Sequence, residues 1–483
     1  MAQTEPAGPR QATPSVDRRE RLSGVSPSQF AQLFCNNSVL MQDIVAHDAS
    51  ILLAFRAANV RSFRDEIELS MVATSMSEPR FVRQVAWREG GRPIGVVPVV
   101  GVFGPNASGK SNLLEAMDDM RALVLQSFRQ EIKRGPNWFF RLDSEGAKRP
   151  SRYEVELILH GVRHEYGFVL DGERVIEEWA YRYPRGRPAT LFSRTGDDVE
   201  AGSAGRGETR SVQKVLRSDS LFLSAAAATN HSLLVPLYDW FRRNMQLAHI
   251  GNRPRRQILT VEMLEDQVGR ERLLAMLGAA DLGIVDAKKL KPDPEAQEKV
   301  TRALRAFLGE VGVEDEVVET LDLDNFGFTL IHQGDGSLME LPPGLESQGT
   351  VVWLGLIGPV VSALTDGTVL LADELDASLH PALVEQLVRL FQDPEANPRR
   401  AQLIFNSHDP TILGDSSEDR LLGRDQIWFT EKLMGGNCRL YPLTELRPRK
   451  HEAIGRRYLD GRYGAMPILS RQAFDRIVSV PDE

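Results

Sequence analysis

The sequence is poor in cysteine and has no long apolar run. It holds two cysteines in 483 residues, Cys35 and Cys438, too few for a disulfide framework or a cysteine-rich zinc site. No run approaches the roughly 18 to 20 apolar residues of a membrane-spanning helix, and the N-terminus lacks the basic-then-apolar layout of a signal peptide. These absences predict a cytoplasmic protein with no membrane part, and they exclude transport unless a separate subunit crosses the membrane.

Positive charge is also in deficit. Lys and Arg total 58 against 67 for Asp and Glu, which gives a net charge of −9 and a pI near 5.7. A net negative charge argues against nucleic-acid binding over the whole surface, although a local basic groove remains possible. The apolar fraction of 42% is that of a globular protein, and the length predicts two or three domains.

Composition and periodicity predict four segments. Residues 1–48 carry Pro, Gln, Ser and Arg without periodicity, and we interpret them as a disordered leader. Residues 49–220 are predicted to form a first lobe that contains a β-rich subdomain. Residues 221–325 have a helical texture and are predicted to be an inserted helical subdomain. Residues 326–483 alternate helix and strand, as a parallel sheet with crossover helices does.

Within these segments the patterns locate individual elements. The predicted strands are 51–55, 94–103, 153–159, 165–170 and 326–331. Turns are predicted at His160-Gly161 and at 334–336. The predicted helices are 112–127, 233–245, 261–277, 296–308 and 351–364.

A glycine-rich octapeptide carries the strongest chemical signal. Residues 104–111 read G-P-N-A-S-G-K-S and satisfy G-x-x-x-x-G-K-[ST] between an apolar strand and a helix. Glycines let backbone N–H groups turn toward phosphate oxygens, and the helix N-terminus adds partial positive charge. Lys110 is expected to neutralise the β- and γ-phosphates of ATP, and the Ser111 hydroxyl to ligate Mg²⁺. The predicted phosphate-binding residues are Asn106, Ala107, Ser108, Gly109, Lys110, Ser111 and Asn112.

Two adjacent acids end a strongly apolar strand. Residues 369–372 are followed by Asp373 and Glu374, which places both acids at the carboxyl end of a strand, where α/β sheets bind ligands. We expect Asp373 to hold the Mg²⁺ shell and Glu374 to polarise the attacking water. The alternative is a solvated acidic turn, which the preceding phosphate loop disfavours.

A second apolar strand, 403–405, ends in Asn406, Ser407 and His408. His408 follows Glu374 by one helix and one strand, so we expect it to hydrogen-bond the γ-phosphate or the attacking water. A histidine after a strand is more often structural. The catalytic interpretation therefore depends on its position after the paired acids.

Ser347 and Gly349 precede the apolar helix predicted at 351–364. A serine and a glycine at a helix N-terminus make a second anion site, and the alternative is an ordinary N-cap serine. One active site does not need two phosphate cradles. Two chains facing head to tail do, because each can complete the γ-phosphate pocket of the other, so the sequence predicts a homodimer or higher homo-oligomer.

The order of phosphate loop, signature, paired acids and histidine resembles the ATPase heads of the ABC class, in the SMC/RecF/OLD branch. Residues 59–63 (N-V-R-S-F) resemble the first-strand motif of that branch, which implies nucleotide contacts for Arg61 and Ser62. Residues 373–381 resemble its Walker B and D-loop. The E-S-x-G-T signature and the tail R-Y-x-x-G-R-Y-G-A at 457–465 resemble the RloA/AbiLi-like ATPases of bacterial anti-phage defence.

This resemblance implies an α/β fold, a P-loop NTPase with an ABC-type head. Such a head has a mixed sheet with crossover helices, an antiparallel β-subdomain and here an inserted helical subdomain. The family implies ATP and Mg²⁺, ATP-driven dimerisation, slow hydrolysis and a partner nuclease of the RloB or Toprim kind encoded nearby, through which nucleic acid would be reached. Two departures are Thr350, where transporters have glutamine, and His380, where aspartate is usual.

Three other functions can be compared with this one. A Toprim nuclease centre within the chain is not expected, because no D-x-D follows His408. A RecF-like DNA-binding repair ATPase is the main alternative, and the acidic balance and the lack of a dense basic stretch count against it. A non-catalytic nucleotide-holding scaffold is disfavoured by Asp373, Glu374 and His408, and a GTPase by the absence of an N-K-x-D motif.

Overall fold

The structure, a computed structural model, describes residues 50–88, 90–130, 139–280, 282–289, 328–414 and 420–467. The predicted leader 1–48 and the predicted helix 296–308 lie outside these residues. The strands are β1 (Ile51–Ala58), β2 (Ile67–Ser70), β3 (Arg83–Val85), β4 (Ile94–Val96), β5 (Val99–Phe103), β6 (Ser151–Leu159), β7 (Val162–Leu170), β8 (Val175–Arg182), β9 (Ala189–Thr195), β10 (Asp198–Ala201), β11 (Met245–Ala248), β12 (Ile284–Lys289), β13 (Phe328–Gln333), β14 (Leu338–Leu341), β15 (Val369–Ala372), β16 (Gln402–Ser407), β17 (Ile427–Lys432) and β18 (Cys438–Pro442). The α-helices are α1 (Lys110–Gln126), α2 (Arg206–Gln213), α3 (Phe222–Ala228), α4 (Val235–Arg243), α5 (Arg253–Glu262), α6 (Gln267–Ala279), α7 (Gln348–Asp366), α8 (Pro381–Gln392) and α9 (Ile454–Leu459).

The first lobe is built on a seven-stranded antiparallel sheet. Its strand order is β10-β9-β8-β7-β6-β1-β2. The predicted turn at His160-Gly161 joins β6 to β7, and both residues have positive φ (49° and 70°). Such a two-residue turn matches the twist of the strands it connects. Strands β6 to β10, which follow one another in sequence, therefore pair with their neighbours, and β1 pairs with β6 although about 90 residues separate them.

The central sheet carries the phosphate loop. Its order is β11-β15-β16-β5-β17-β18, and every pair is parallel except β17 with β18. Side chains alternate across β5, so Val100 and Val102 pack in one core with α1 and the antiparallel sheet, and Val99 and Phe103 pack in a second core with α7 and α8. The strand that precedes the phosphate loop is buried on both faces, which fixes where the loop emerges.

Helix α7 contains a proline, Pro359, and side chains of α5 bond the backbone groups of α7 around it. Pro359 has no N–H to bond Gly355, and the Gly355 carbonyl lies 3.4 Å from the Arg256 guanidinium. Thr260 on α5 accepts from Gly358 N at 2.9 Å and donates to Leu354 O at 2.5 Å. A buried break in a helix needs such substitute partners, so α5 and α7 form one unit beneath the central sheet.

Three expectations for individual elements need correction. The predicted strand 94–103 divides at Val97-Pro98 into β4, which pairs with β3, and β5, which joins the central sheet. The predicted helix 261–277 is the end of α5 and most of α6, separated by a short 3₁₀ turn at Met263–Glu265. The described part of the predicted helical segment 221–325 also contains two strands, β11 at the edge of the central sheet and β12 beside β13. Where these strands begin, end and pair depends on distant strands, and the local periodicity of the sequence does not show which distant strand is the partner.

Helix α7 is also long and apolar enough to cross a membrane by length and composition alone. No other helix in the described ranges passes that test. Of its most apolar window, 67% is buried inside the protein, and its side chains form the second core. The expectation that no run approaches spanning length is therefore wrong by length and composition, and burial gives α7 the character of a core helix.

Candidate functional site

The phosphate loop follows β5 and has the backbone that its motif requires. Gly109 has φ 99° and Ala107 has φ 59°, both in the left-handed region. A Cβ on Gly104 would lie 2.4 Å from the carbonyl oxygen of Thr430, and a Cβ on Gly109 would lie 2.8 Å from the Ser62 hydroxyl. Side chains at either position would therefore displace the neighbouring strand or loop, and glycine is required.

Lys110 is the first residue of α1 and is almost fully buried, with 5% of its surface exposed. Its ammonium donates to the carbonyl oxygens of Gly104 at 2.8 Å and Pro105 at 3.0 Å. Burial lowers the pKa of Lys110 to about 8, against the opposing pull of the carboxylates of Asp376, Glu374 and Asp373. The lysine and these three acids therefore share one electrostatic environment.

Ser108, inside the loop, is tied to the neighbouring strand β17. Its hydroxyl lies 2.6 Å from the Thr430 hydroxyl, and both side chains are fully buried. Thr430 thus fixes the loop from the side away from the acids. The sequence reasoning did not identify Thr430, because nothing in the strand around it marks one threonine as a partner of the loop.

Asn406 connects the two acids and was also missed as a site residue. Strand β16 lies between β5 and β15, so it separates the phosphate loop from the acids. The Asn406 amide donates to Asp373 Oδ1 at 2.5 Å, and its carbonyl oxygen accepts from Glu374 N at 2.5 Å. Asn406 is fully buried, so it orients both acids. Its place in the polar triplet after 403–405 was the available signal.

The backbone at Glu374 is strained in a way that Asn406 supports. Glu374 has φ 51°, which is uncommon for a residue with a side chain and costs on the order of 1–3 kcal/mol unless neighbours hold it. Leu375 N donates to Asn406 O at 3.2 Å, in addition to the bond from Glu374 N. The chain therefore turns sharply after β15. Because of this turn, the side chains of Asp373 and Glu374 lie in different environments.

His408 lies at the carboxyl end of β16, where the sequence placed it. Its backbone N–H donates to the carboxylate of Asp376 at 3.2 Å. The side chain is exposed, and among the residues that the structure describes the imidazole has no hydrogen-bond partner. Asp376, a second residue that the sequence reasoning left without a role, thus joins the end of β16 to the turn after Glu374.

Ser347 and Gly349 form the start of α7. The Ser347 hydroxyl is the N-cap, accepting from Thr350 N at 3.1 Å and lying 2.9 Å from the Thr350 hydroxyl. A Cβ on Gly349 would lie 2.8 Å from the carbonyl oxygen of Ser378. The start of α7 therefore touches the turn that follows Glu374, and the exposed Ser347 has the N-cap geometry of the simpler interpretation.

Arg61 is placed differently from the expected nucleotide contact. Its guanidinium is bidentate to Asp119, at 2.5 and 2.8 Å, and also bonds Glu115. Both acids lie on α1, one turn apart. Arg61 therefore braces the loop 59–64 against the helix, and the two carboxylates occupy the hydrogen-bonding edge that a phosphate would need.

Ser62, by contrast, lies directly beside the phosphate loop. Its hydroxyl is the atom that a Cβ on Gly109 would meet, and its carbonyl accepts from Cys438 N at 2.8 Å. The Cys438 thiol lies 4.0 Å from the Ala107 carbonyl, and burial raises the pKa of this thiol. A protonated, buried thiol is a packing group rather than a nucleophile.

The donor set at this edge of the sheet suits Mg²⁺ bound with a nucleotide. Ser111 follows Lys110 at the start of α1, and Asp373 offers a carboxylate held by Asn406. Within the described part of the chain, no three His, Cys, Asp or Glu side chains cluster as a complete metal cage. Mg²⁺ prefers oxygen ligands, keeps several waters and takes further ligands from substrate phosphates, so one hydroxyl and one carboxylate are an appropriate protein contribution.

The tail motif 457–465 folds against the strand that fixes the phosphate loop. Phe429 on β17 stacks on Tyr458 at 5.4 Å and on Tyr463 at 5.8 Å between ring centroids. The hydroxyl of Tyr458 donates to Ala465 O at 3.1 Å, and that of Tyr463 donates to Glu452 at 2.8 Å. The two tyrosines of the motif therefore pack on Phe429, the residue that precedes Thr430.

Comparison with known families identifies the chain. The family described as "AAA domain, putative AbiEii toxin, Type IV TA system" matches residues 99–414, more than half of the 483 residues. The chain belongs to this AAA-domain family. The match begins at β5 and ends just after the strand that carries His408, so it contains the phosphate loop, the start of α7 and the paired acids. No curated protein matches the sequence.

Solved structures similar to the chain are SMC head domains. The SMC head domain from Thermotoga maritima is 11% identical, with a TM-score of 0.34, over 81% of this chain and 98% of that chain. An SmcHead bound to the C-winged helix domain of ScpA is 13% identical, with a TM-score of 0.37, over 82% and 99%. An Smc head domain with an extended coiled coil bound to the C-terminal domain of ScpA, from Pyrococcus furiosus, is 12% identical, with a TM-score of 0.34, over 82% and 98%. TM-scores this low are too weak for a functional assignment to rest on them.

The expected fold class is confirmed. The chain is an α/β protein of the AAA-domain family, with a phosphate loop after β5, a mixed central sheet, crossover helices and an antiparallel β-subdomain. One strand, β16, separates the strand of the phosphate loop from the strand of the paired acids. The fold thereby brings Lys110, Asp373, Glu374 and Asn406 to a single edge of the sheet.

Proposed function

We propose that the chain hydrolyses ATP, with the phosphate loop binding the nucleotide and Glu374 acting as the general base. One observation carries the proposal: the phosphate loop after β5 and the paired acids after β15 lie at one edge of the central sheet, separated by the single strand β16. A lysine for phosphate charge and acids for metal and water are the parts that phosphoryl transfer needs in one place. The acids also lie beyond a dedicated amide, Asn406, that fixes their orientation.

Each residue has a separate task in this proposal. Backbone N–H groups of residues 106–112 bind phosphate oxygens at the start of α1, where the helix dipole favours anions. Mg²⁺, held through Ser111 and the Asp373 carboxylate, would neutralise charge on the β- and γ-phosphates. Glu374 takes the proton of the attacking water. Lys110 exchanges its bonds to Gly104 and Pro105 for phosphate oxygens.

A phosphate-release assay with Mg-ATP tests this activity. Lys110→Ala should weaken ATP binding by roughly 10- to 100-fold, since a hydrogen bond to a charged group is worth about 1.5–3 kcal/mol. Lys148→Ala is the matched control, because Lys148 is exposed and pairs with the nearby Glu145. Unchanged ATP binding in Lys110→Ala would contradict the assignment of residues 104–111 as the nucleotide site.

We further propose that the working unit is a head-to-tail dimer. The start of α7 supplies a backbone N–H array and an exposed Ser347, and such a helix start binds anions. In the dimer, Ser347 and Gly349 of one chain face the γ-phosphate held by residues 104–111 of the other. His408 is exposed at the same end of the sheet and would bond the γ-phosphate or the attacking water.

The biological role that we propose is control of a partner effector in anti-phage defence, in the cytoplasm. The family name refers to a putative AbiEii toxin of a type IV toxin–antitoxin system, and the signature and tail resemble RloA/AbiLi-like ATPases. The effector would be a nuclease of the RloB or Toprim kind encoded nearby.

The purified chain alone should leave DNA and RNA uncut, and co-expression with that nuclease should give ATP-dependent cleavage. Cleavage by the chain alone would contradict the division of labour.

A RecF-like DNA-binding repair ATPase is the alternative function. It predicts strong, salt-dependent binding of duplex DNA by the isolated chain, strengthened by ATP. The effector proposal predicts no such preference for duplex. Gel-shift titration with a duplex at two salt concentrations separates the two.

A further inference from the structure

A group of five arginines lies at the opposite end of the antiparallel sheet from the phosphate loop. Arg182, Arg185 and Arg187 belong to β8 and the loop that follows it, a stretch (182–188) with no acidic residue. Arg88 and Arg92 belong to the β3–β4 hairpin. In the ranges that the structure describes, none of these five forms an ion pair. Arg92, Arg185 and Arg187 are exposed and Arg88 and Arg182 are partly buried, whereas Arg56 in the same sheet pairs with three glutamates. We call these five residues the arginine rim.

The two parts of the rim are in direct contact. A Cβ on Gly186 would lie 2.1 Å from an Arg88 Nη atom and 3.6 Å from the ring of Trp87. The Arg88 guanidinium lies over the Trp87 ring at 4.5 Å. Tyr183 N donates to Arg163 O at 2.8 Å, and the Arg163 guanidinium covers the Tyr183 ring at 4.6 Å. Guanidinium planes and aromatic rings therefore alternate across the surface.

A cleft of about 300 Å³ opens beside this rim. Its apolar wall includes Leu53, Trp87, Pro93 and Ile94, and its polar side is the Glu156–Arg163 pair, bonded at 2.6 Å. The volume is at the lower end of the roughly 300–1,000 Å³ typical of small-molecule sites. A flat, partly polar ring fits such a slot, with one acceptor and one donor at its edge.

Electrostatics at the cleft favour an anion. The pKa of His164, on β7 next to Arg163, is lowered by burial and further by the positive charges of Arg182 and His160, against a hydrogen bond to the Val162 carbonyl that raises it. The acids near the cleft are already engaged: Glu156 with Arg56 and Arg163, and Glu165 with the Tyr183 hydroxyl at 2.7 Å. Among the residues that the structure describes, the rim thus adds positive charge to a chain whose net charge is −9, while Glu89, between Arg88 and Arg92 in sequence, lies outside the described residues.

The cleft is separate from the proposed ATP site. Leu53 precedes Ala58, at the far end of β1, by five residues, or roughly 16 Å at about 3.3 Å per residue. The phosphate loop lies beyond that end, beside Ser62. A ligand in the cleft therefore cannot be the nucleotide held by residues 104–111.

We propose that this cleft binds one nucleotide unit, with the base in the slot beside Trp87 and the phosphates on the arginine rim. Bases stack on aromatic rings and on arginine planes, and arginine forks match phosphate oxygens. The unit comes either from a single strand with a splayed base or from a free nucleotide. Duplex DNA does not fit, because its bases are not available to the slot.

The test is fluorescence anisotropy with a labelled oligo-dT 20-mer, carried out without added free nucleotide, which would compete for the cleft. The double variant Arg185→Ala/Arg187→Ala should bind several-fold more weakly. Its slope of log affinity against log salt should be smaller by about 1.4, because each phosphate of a single strand that an arginine neutralises adds about 0.7 to that slope. The control Arg449→Ala/Lys450→Ala removes two exposed charges far along the chain and should keep the parent slope.

Trp87→Leu tests the slot itself, with thermal melting as a check that the hairpin remains folded. It should weaken oligo-dT by roughly 5- to 100-fold and leave an abasic strand of equal charge unaffected. Competition by thymidine monophosphate alone would assign the site to free nucleotides, and competition by oligo-dT only would assign it to a strand. Equal losses in the control pair, tighter binding of duplex than of single strand, or no binding of either probe would overturn the proposal.

Discussion

The two groups of residues that sequence motifs assign to ATP chemistry differ sharply in how they are held. Lys110, Asp373, Glu374 and Asn406 are connected through hydrogen bonds and charge across three neighbouring strands. The Ser347 hydroxyl bonds Thr350 and its carbonyl oxygen accepts from Val351 N, both within α7, and the His408 ring has no hydrogen-bond partner in the described chain. The first group is complete within one chain. The second has the chemistry for phosphate but only local contacts, as expected for groups whose target is on another chain.

The largest predicted effect falls on the complete group. Glu374→Gln should lower kcat by about 10² to 10⁴, because general-base catalysis contributes a factor of that size, and should leave ATP binding intact. Glu385→Gln is the matched control, an exposed acid on α8 paired with Arg389. Phosphate release and nucleotide binding should be measured on the same preparations. Normal hydrolysis by Glu374→Gln would remove Glu374 from its proposed role.

A substitution in the second group should separate binding from turnover. Ser347→Arg should keep ATP binding and reduce hydrolysis by about 100-fold, since removal of one preorganised donor to developing charge typically costs 10² to 10³. Ser337→Arg, in the exposed β13–β14 turn, controls for the added charge. Unimpaired hydrolysis in Ser347→Arg would mean that the site works within one chain.

Asn406 provides the sharpest test of the connection between the acids. Asn406→Ala leaves Asp373 and Glu374 chemically present but removes both hydrogen bonds that orient them, so kcat should fall by about 10- to 100-fold. The KM for ATP should change little, which distinguishes positioning from general damage. If KM and thermal stability collapse together with kcat, Asn406 is a structural residue only.

The smallest predicted effect is a pH dependence from Lys110. Its pKa is depressed to about 8, so the charge is lost as pH rises through 8, while an unfolded lysine keeps its proton to about 10.5. The contribution of this group to the stability of the folded chain therefore rises between pH 8 and 10.5. ATP affinity should fall about tenfold from pH 7 to pH 9, and binding near pH 9 should take up a proton.

Titration calorimetry in buffers of different ionisation enthalpy measures that proton. Lys110→Arg is the control, because a guanidinium stays charged over this range and its pH profile should be flat. A flat profile in the parent protein would mean that Lys110 retains its charge despite burial.

Local motifs were sufficient to locate most of the candidate site residues. They did not reveal the residues that hydrogen-bond to them and fix their positions. The helix predicted at 112–127 is α1 at 110–126, and the strand before Asp373 is β15, because short strings of apolar and glycine residues determine both. Asn406 and Thr430 were missed, because their partners lie more than thirty residues away in sequence. Long-range pairing is not visible in local patterns.

The same limit applies to Arg61 and to two strands. The contact of Arg61 with nucleotide, implied by resemblance, stays a prediction, and in this structure Glu115 and Asp119, four residues apart on α1, hold its guanidinium. The division of 94–103 at Pro98 and the membership of β11 in the central sheet depend on which distant strand offers an edge. For an arginine in an acidic chain, pairing with nearby carboxylates should be considered before binding to a ligand.

The central claim, that the site is completed by a second chain, has a direct test by mixing. Lys110→Ala and Ser347→Arg proteins should each hydrolyse ATP far more slowly than the parent, and a mixture should regain hydrolysis, because a head-to-tail heterodimer contains one site with both Lys110 and Ser347 intact. Random pairing at equal amounts predicts about a quarter of the parent rate, from half the dimers with one of two sites working. A mixture no more active than its components would contradict the head-to-tail dimer and confine the site to a single chain.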